Sequence, residues 1–523
     1  MSVKKELCIV SITPDLALDM GYTYAGGLGV LEGDKFYAAG KLGICYYVLS
    51  LFYRNGYVDY DFDSDGTPRP KPQPQPKEFI DSLKPVDKFT VKLRESTVTV
   101  EALEYGYGSA KAVFFNVLEP QWVTKFVDRI YIEDSVEEKF YKYTLLAKAS
   151  ATFMTRNTRL SDIAYIDLQE SYAALLPLQL RIPGKYRMVI HTAGLWGHPT
   201  FPRDFFASEY GYRFIEPEVL LTEIGLAVAE QAFAVSAKHY DVLLKIFPHF
   251  SGKLTYVTNG INLERWMNEE LRRAYEGRVL NLDMFVEMKE KAKYRLEQFL
   301  QNYKRDVSLD GKFVIVWARR ITEYKRPWMV VRLIRELKDK DVFKDLFFVL
   351  GGKAHPQDTV GLEYMKMFRR LHNEMENVVY VHDYDVQKAK ILLSSGDLLL
   401  FTPFSGLEAC GTSYMKSSVN GVPVLASRDG GVLEFIVDGV NGWLFGEDIR
   451  EPIDIYSQRA SEINEKEYNE LKTRLLQIIE LYKAAPEKYY SIAFSALRSF
   501  PPRASIYRVL REYYPDIVKV PLL

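Results

Sequence analysis

From Phe313 onward, short and almost wholly apolar runs alternate with helical patterns, and this alternation most restricts the fold. The runs are Phe313-Val-Ile-Val-Trp317, Phe347-Phe-Val-Leu350, Val378-Val-Tyr-Val381 and Asp397-Leu-Leu-Leu-Phe401. A strand apolar at every position is covered on both faces, and strands separated by helices pair in parallel. Ligands of such sheets bind beyond the carboxyl ends of the strands. An earlier series opens with a buried strand, Leu7 to Thr13, and runs through about Trp266; within it, residues 89–130 alternate apolar and polar like antiparallel strands. A charged helical connector, Glu269 to Asn302, separates the two series. The expected fold is α/β, with two doubly wound, Rossmann-like domains facing a central cleft. They are placed at residues 1–270 and 271–490, with a helical segment, 491–523, packing back on the first. A chain of 523 residues is long for a single core, in keeping with two domains.

A net charge of −1 provides no basic footprint for nucleic acid and no polybasic membrane anchor. The first apolar stretch is broken by Glu6, Pro14 and Asp15, too early for a signal peptide, and no later run reaches transmembrane length. These features predict a cytoplasmic protein. Cys8, Cys45 and Cys410 are odd in number and widely spaced, which predicts neither a disulfide framework nor a metal cluster. From Asp61 to Pro76 the alternating prolines favour extended backbone, exclude helix and predict an exposed loop or arm.

Six segments suit binding or chemistry. Leu7–Thr13 runs into Gly26-Gly27-Leu28-Gly29 and then a helical pattern, Val30 to Ala39; backbone N–H groups at such a helix start suit an anion, although glycines also serve simple turns. Arg319, Arg320, Lys325 and Arg326 follow the strand ending at Trp317, a concentration of cations suited to phosphate. Gly351-Gly352-Lys353-Ala-His355 follows the next strand, its glycines permitting close backbone approach to a ligand. Finally, Glu408-Ala-Cys-Gly411-Thr412-Ser-Tyr-Met-Lys416 follows the strand ending at Thr402. Glu408 can accept from sugar hydroxyls, while Gly411 and Thr412 offer an N–H and a hydroxyl at a helix start. Sugar-nucleotide transferases often carry a second glutamate eight residues after the first; here that position is Lys416, an amine that suggests a Schiff base to pyridoxal phosphate. In the first series His191-Thr192 and Gly197-His198 follow a strand, as does Asn259, with Asn262 suited to capping a helix.

Taken in order, these elements resemble the α-glucan (glycogen and maltodextrin) phosphorylases, in a short form. The matching segments are Gly26-Gly27-Leu28-Gly29, Tyr53-Arg-Asn-Gly-Tyr57, His191-Thr192 with Gly197-His198, Thr258-Asn259-Gly260 with Trp266, Arg319 to Arg326, and Glu408 to Lys416. The resemblance implies pyridoxal 5'-phosphate joined to Lys416, with Arg319, Arg320, Tyr324, Lys325, Gly411, Thr412 and Gly27 around the cofactor and Arg320 and Lys325 at the phosphates. It implies that Gly26, Gly27 and Gly29 close over phosphate, and that His191, Asn259, Glu408 and Gly411 hold the glucosyl unit. It further implies α-glucan and inorganic phosphate, or glucose 1-phosphate, as ligands, a homodimer, and no metal, nucleic acid or membrane partner. The short length implies the absence of an N-terminal regulatory extension. Two departures stand out. Pro199 replaces the Asp of many bacterial members, and Gly421 to Glu434 with Asp438 to Gly442 resembles nucleotide-sugar transferases. A nucleotide-sugar-dependent glucan synthase and a non-catalytic glucan-binding protein are therefore the rival readings.

Overall fold

The computed structural model describes residues 7–519, which divide into two compact units. The first comprises the chain up to Val58, Pro72–Thr258, and the stretch from Val509; the second comprises Asp59–Lys71 and Asn259–Arg508. The division thus falls twelve residues before the expected limit at 270. The C-terminal return begins at Val509 instead of 491, inside the helix Ile506–Tyr513.

The sheet of the first unit contains β1 (Cys8–Ile12), β2 (Tyr46–Leu51), β3 (Lys84–Leu93), β4 (Ser96–Tyr107), β5 (Ala110–Glu119), β6 (Ile163–Gln169), β7 (Tyr186–Val189), β8 (Gln231–Ala234) and β9 (Leu254–Tyr256). Their order is β9-β8-β7-β6-β1-β2-β5-β4-β3. Every neighbouring pair from β9 to β5 is parallel, and β4 and β3 extend the sheet as antiparallel strands. From β1 the chain passes to β2, goes to the far edge at β3 and returns through β4 to β5; it then crosses to β6 on the other side of β1 and continues outward to β9. The switch point therefore lies between β1 and β6. The helical pattern after the glycine loop becomes α1 (Gly27–Lys41), whose first turn includes Gly27 and Gly29.

The second unit has six parallel strands: β10 (Phe313–Ala318), β11 (Leu346–Gly351), β12 (Val378–Val381), β13 (Leu398–Phe401), β14 (Val424–Ser427) and β15 (Trp443–Phe445). The order β12-β11-β10-β13-β14-β15 places the switch point between β10 and β13. All of these strand residues are buried, as continuous apolar runs require when helices cover both faces.

Two expectations are overturned. The proline-rich arm is extended, as expected, but is neither free nor wholly exposed: Asp59–Phe62 and Pro68–Lys71 form an antiparallel hairpin belonging to the second unit. Its Tyr60 hydroxyl donates to the Ala354 carbonyl at 3.0 Å, and Lys366 pairs with Asp65 at 2.7 Å. Beyond it Gln73 and Gln75 are buried, and Gln75 Nε2 donates to the Tyr53 carbonyl at 2.7 Å. The cysteine spacing also misled, because Cys8 and Cys45 form a disulfide. Parallel pairing of Ile9 with Tyr46 brings the residues before them side by side at the N-terminal ends of two neighbouring interior strands. Thirty-seven residues of sequence hide that adjacency.

Candidate active site

Arg319 follows the last residue of β10, at the switch point, where its N–H donates to the Gly351 carbonyl at 3.0 Å. Gly352 has φ +139°, and an added Cβ would lie 2.0 Å from the Arg319 carbonyl oxygen. The close approach expected of this glycine is therefore to the Arg319 backbone. Ile321 N–H donates to the Lys353 carbonyl at 2.9 Å and completes the strap between the two loops. The loop after β13 is sewn to the same place. Thr402 accepts from Trp317 Nε1 at 3.0 Å and donates to the Lys325 carbonyl at 2.8 Å, while Phe404 N–H donates to the Tyr324 carbonyl at 2.7 Å.

These loops bring Arg319, Lys325 and Glu408 together. Arg319 Nη2 donates to Glu408 Oε2 at 2.7 Å, and Lys325 Nζ lies 3.2 Å from the same oxygen. All three are buried or nearly so, and the Arg319 guanidinium lies 4.3 Å from the Phe401 ring centroid. Arg319 Nε and Nη1 are buried without hydrogen-bond partners among the described residues. Burial, reinforced by Arg319, pulls the Lys325 ammonium down to about 7, although Glu408 opposes the shift. For Glu408 burial acts upward, but Lys325 and Arg319 outweigh it and hold the carboxyl below its usual value. Arg320, read as a phosphate contact, is exposed; Tyr324 is partly buried.

Arg326 belongs to the core and not to the cation cluster expected of this segment. It adopts φ +51°, is 1% exposed, and pairs with Glu467 at 2.6 Å. It also donates to the Thr402 and Pro403 carbonyls at 2.8 and 3.0 Å. Lys353 is buried, and His355 turns back to accept from Gln357 N–H at 3.1 Å.

Lys416 stands on α2 (Ser413–Ser418), 6% exposed, with Nζ 3.9 Å from the Trp266 ring centroid. Asn420 joins these two segments. Its amide donates to the Trp266 and Lys416 carbonyls at 2.8 Å each, and its oxygen accepts from Asn268 N–H at 2.7 Å. Thr412 is the N-cap of α2, but its hydroxyl does not cap. At Gly411 a Cβ would lie 2.9 Å from the Phe401 ring, so the backbone packs directly on that ring. Asn259 donates to the Cys410 carbonyl at 3.1 Å, its Oδ1 buried without a partner among the described residues. Asn262 caps the helix Leu263–Trp266 through Glu264 N–H at 3.0 Å.

Sequence reading missed Asp429. It lies in the segment read as transferase-like, and its carboxylate accepts from the N–H groups of Gly406, Leu407 and Glu408 at 2.7, 3.3 and 2.8 Å. It thereby fixes the backbone that presents Glu408. Asn420 was likewise missed, since nothing local distinguishes either residue from an ordinary polar loop residue.

In the first unit the glycine loop faces an internal carboxylate. Asp15 accepts from Ala25 N–H at 3.2 Å and from the Tyr131 hydroxyl at 3.1 Å, and burial raises its carboxyl to about 6. A Cβ at Gly29 would lie 2.7 Å from Asp15 Oδ2, whereas one at Gly27 would meet nothing within 4 Å. Gly26 is the extended N-cap of α1. His191 follows β7. Its Nε2 is 2.8 Å from Gln169 Oε1, and its N–H donates to Glu170 Oε2 at 2.7 Å. Burial, with Lys35 adding to it, depresses the imidazole well below its ordinary value, so the ring is neutral. Burial lifts the Glu170 carboxyl to about 7, against the hydrogen bonds from Thr192 and His191. His198 Nδ1 pairs with the Thr222 hydroxyl at 2.8 Å.

Among the described residues, no helix is long and apolar enough to cross a membrane, and no His, Cys, Asp and Glu group could hold a metal ion. Residues 269–511 match the family described as carbohydrate phosphorylase. A glycogen phosphorylase of Aquifex aeolicus is 25% identical, with 98% of this chain and 86% of that protein covered. A maltodextrin phosphorylase of Thermococcus litoralis is 24% identical over 94% of this chain and 68% of that one. An uncharacterized protein of Methanocaldococcus jannaschii is also 24% identical, covering 79% and 83%. The ordered loop motifs, the buried Arg319, Lys325 and Glu408 group and these comparisons lead to one conclusion: the chain is similar to the glycogen and maltodextrin phosphorylases over nearly its whole length, and to the carbohydrate phosphorylase family model over residues 269–511.

Proposed function

We propose that the chain catalyses the reversible phosphorolysis of an α-1,4-glucan, releasing glucose 1-phosphate from the non-reducing end with retention. The observation that carries this reading is the buried pair Arg319 and Lys325 at the switch point of the second sheet, with Lys416 on α2, the helix after the adjoining strand β13. The two units facing a common cleft, in the GT-B manner, form part of the proposal, as do a homodimer and a cytoplasmic location.

The residues present fit pyridoxal phosphate. Arg319 has two buried N–H donors awaiting acceptors, and the Lys416 amine lies on an aromatic face. Lys416 would hold the cofactor covalently, with Arg319, Arg320, Tyr324, Lys325, Gly411, Thr412 and Gly27 around it. Bound there, it would supply a phosphate group able to exchange a proton with substrate phosphate.

The chain's own groups perform the remaining work. Arg319 and Lys325 bring two phosphates together, an electrostatic preorganisation that survives because both cations are shielded from water. Incoming phosphate competes with Glu408 for them and releases that carboxylate toward the sugar hydroxyls. Inorganic phosphate protonates the glycosidic oxygen and then attacks the oxocarbenium-like centre. His191 contacts the glucosyl unit as a neutral ring, which does not oppose the positive charge developing there as an imidazolium would. Asn259 and Gly411 hold sugar hydroxyls, and Gly26, Gly27 and Gly29 lie over the phosphates. No second catalytic carboxylate is required, unlike in the glycosidases.

Purified protein should show the absorbance of a bound pyridoxal group, borohydride should fix it to the peptide containing Lys416, and maltodextrin with phosphate should yield glucose 1-phosphate. Failure of both the fixation and the phosphorolysis would sink the proposal. Transfer from a nucleotide sugar that survives Lys416→Ala would select the synthase reading, and glucan binding without any turnover would select the non-catalytic one.

A further inference from the structure

Glu170 leaves β6 with φ 69° and ψ 168°, a conformation that glycine adopts freely and that costs other residues on the order of 1–3 kcal/mol. Its side chain is 6% exposed, and Oε1 is buried without a hydrogen-bond partner among the described residues. Both features oppose stability, so something else must account for a glutamate here.

The geometry supplies a reason. Consecutive side chains of an extended strand point to opposite faces. The left-handed step at Glu170 breaks that alternation, and both Gln169 and Glu170 reach His191. Gln169 Oε1 meets His191 Nε2 at 2.8 Å, and Glu170 Oε2 receives His191 N–H at 2.7 Å. Gln169 is fixed in turn, its amide donating to Ser11 Oγ on β1 at 3.0 Å. With that amide so oriented, His191 Nε2 carries the hydrogen and Nδ1 keeps its lone pair. The backbone, ring direction and tautomer of His191 are thus set by two successive residues at the sheet's switch point.

We infer that Glu170 is a positioning residue, its strained backbone retained to aim His191. This rests on the proposed role of His191 at the transferred glucosyl unit. Glu170→Gly relieves the strain and removes the acceptor, whereas Glu170→Gln keeps an acceptor for His191 N–H. Three measurements decide the matter on the full-length protein: thermal melting, maltodextrin phosphorolysis, and long-range 1H–15N spectra of protein labelled at its seven histidines, with His191 assigned through His191→Gln.

The expected result for Glu170→Gly is a melting temperature equal to or above that of the wild type, a kcat lowered at least tenfold, and a His191 ring averaging between tautomers. Glu170→Gln should recover kcat to within about threefold and restore the Nε2–H tautomer. The inference is overturned if Glu170→Gly keeps kcat within twofold, if it keeps the wild-type tautomer, or if it melts several degrees lower. Wild-type protein unable to phosphorolyse maltodextrin would refute the proposed function instead, while melting and tautomer would still decide the positioning role.

Discussion

Arg319 and Lys325 share one oxygen of Glu408, at 2.7 and 3.2 Å, so a single buried carboxylate holds two cations carried on the neighbouring strand's loop. Removing either partner from such a group leaves buried charge uncompensated. In the proposed function phosphate takes the place of Glu408 beside these cations, and its binding should follow the protonation of Lys325.

Lys325 titrates at about 7, lowered by burial and by Arg319. It is charged below that pH and loses its proton above it, so phosphate binding should weaken as pH rises. Between pH 6.5 and 8.5 the KM for phosphate should rise roughly tenfold or more relative to Lys325→Arg, whose side chain stays charged throughout. Comparing the two proteins cancels the titration of phosphate itself. Parallel curves would remove Lys325 from phosphate binding.

Asp429 accepts three consecutive backbone N–H groups in front of Glu408. Asp429→Ala leaves these donors without acceptors and should cost about 3 kcal/mol, measured by urea unfolding. Asp429→Asn, with one acceptor oxygen remaining, should fall between. Because the loop carries Glu408, kcat should drop in the same order.

Asn420 ties the Trp266 segment to α2 through three hydrogen bonds. Asn420→Ala should destabilise by about 2 kcal/mol and slow borohydride fixation at Lys416, because the amine's aromatic support is no longer held. Unchanged fixation kinetics would show that α2 positions Lys416 alone.

Burial moves Glu170 upward from 4.5 to about 7. Between those values the unfolded carboxyl is ionised while the folded one keeps its proton, so Glu170 makes stability fall as pH rises through this window. Its contribution is on the order of 3 kcal/mol. In Glu170→Gln this part of the pH dependence should vanish, which urea unfolding at pH 5 and 7.5 will reveal. Asp15 is shifted in the same direction and leaves a smaller residual slope.

Much of the second unit was legible because its strands declare themselves. Four almost wholly apolar runs separated by helical patterns became β10 to β13, and the loops carrying the candidate site residues follow their carboxyl ends. The shorter strand of β15 and the hairpin Asp59–Lys71 were not legible, since a four-residue strand carrying Pro68 and Pro70 contradicts local propensity and exists only through its packing partners. Arg326 illustrates the same limit at the site. It looks like its neighbours Arg319 and Lys325 in sequence, but a left-handed backbone step turns it into the core toward Glu467.

By itself, the sequence determined the α/β class and which cation- and glycine-bearing loops follow the strands, because strand periodicity and loop composition are local properties. Only the tertiary structure decided which charges meet. Arg319 with Glu408, Asp429 with three distant N–H groups, Asn420 with Trp266, and Gln169 and Glu170 with His191 are all joined across 20 residues or more. Such pairings are set by strand order, which brings separate loops to one edge of a sheet. The burial that follows then shifts Lys325 and Glu170 into the neutral range, a property that no isolated side chain possesses.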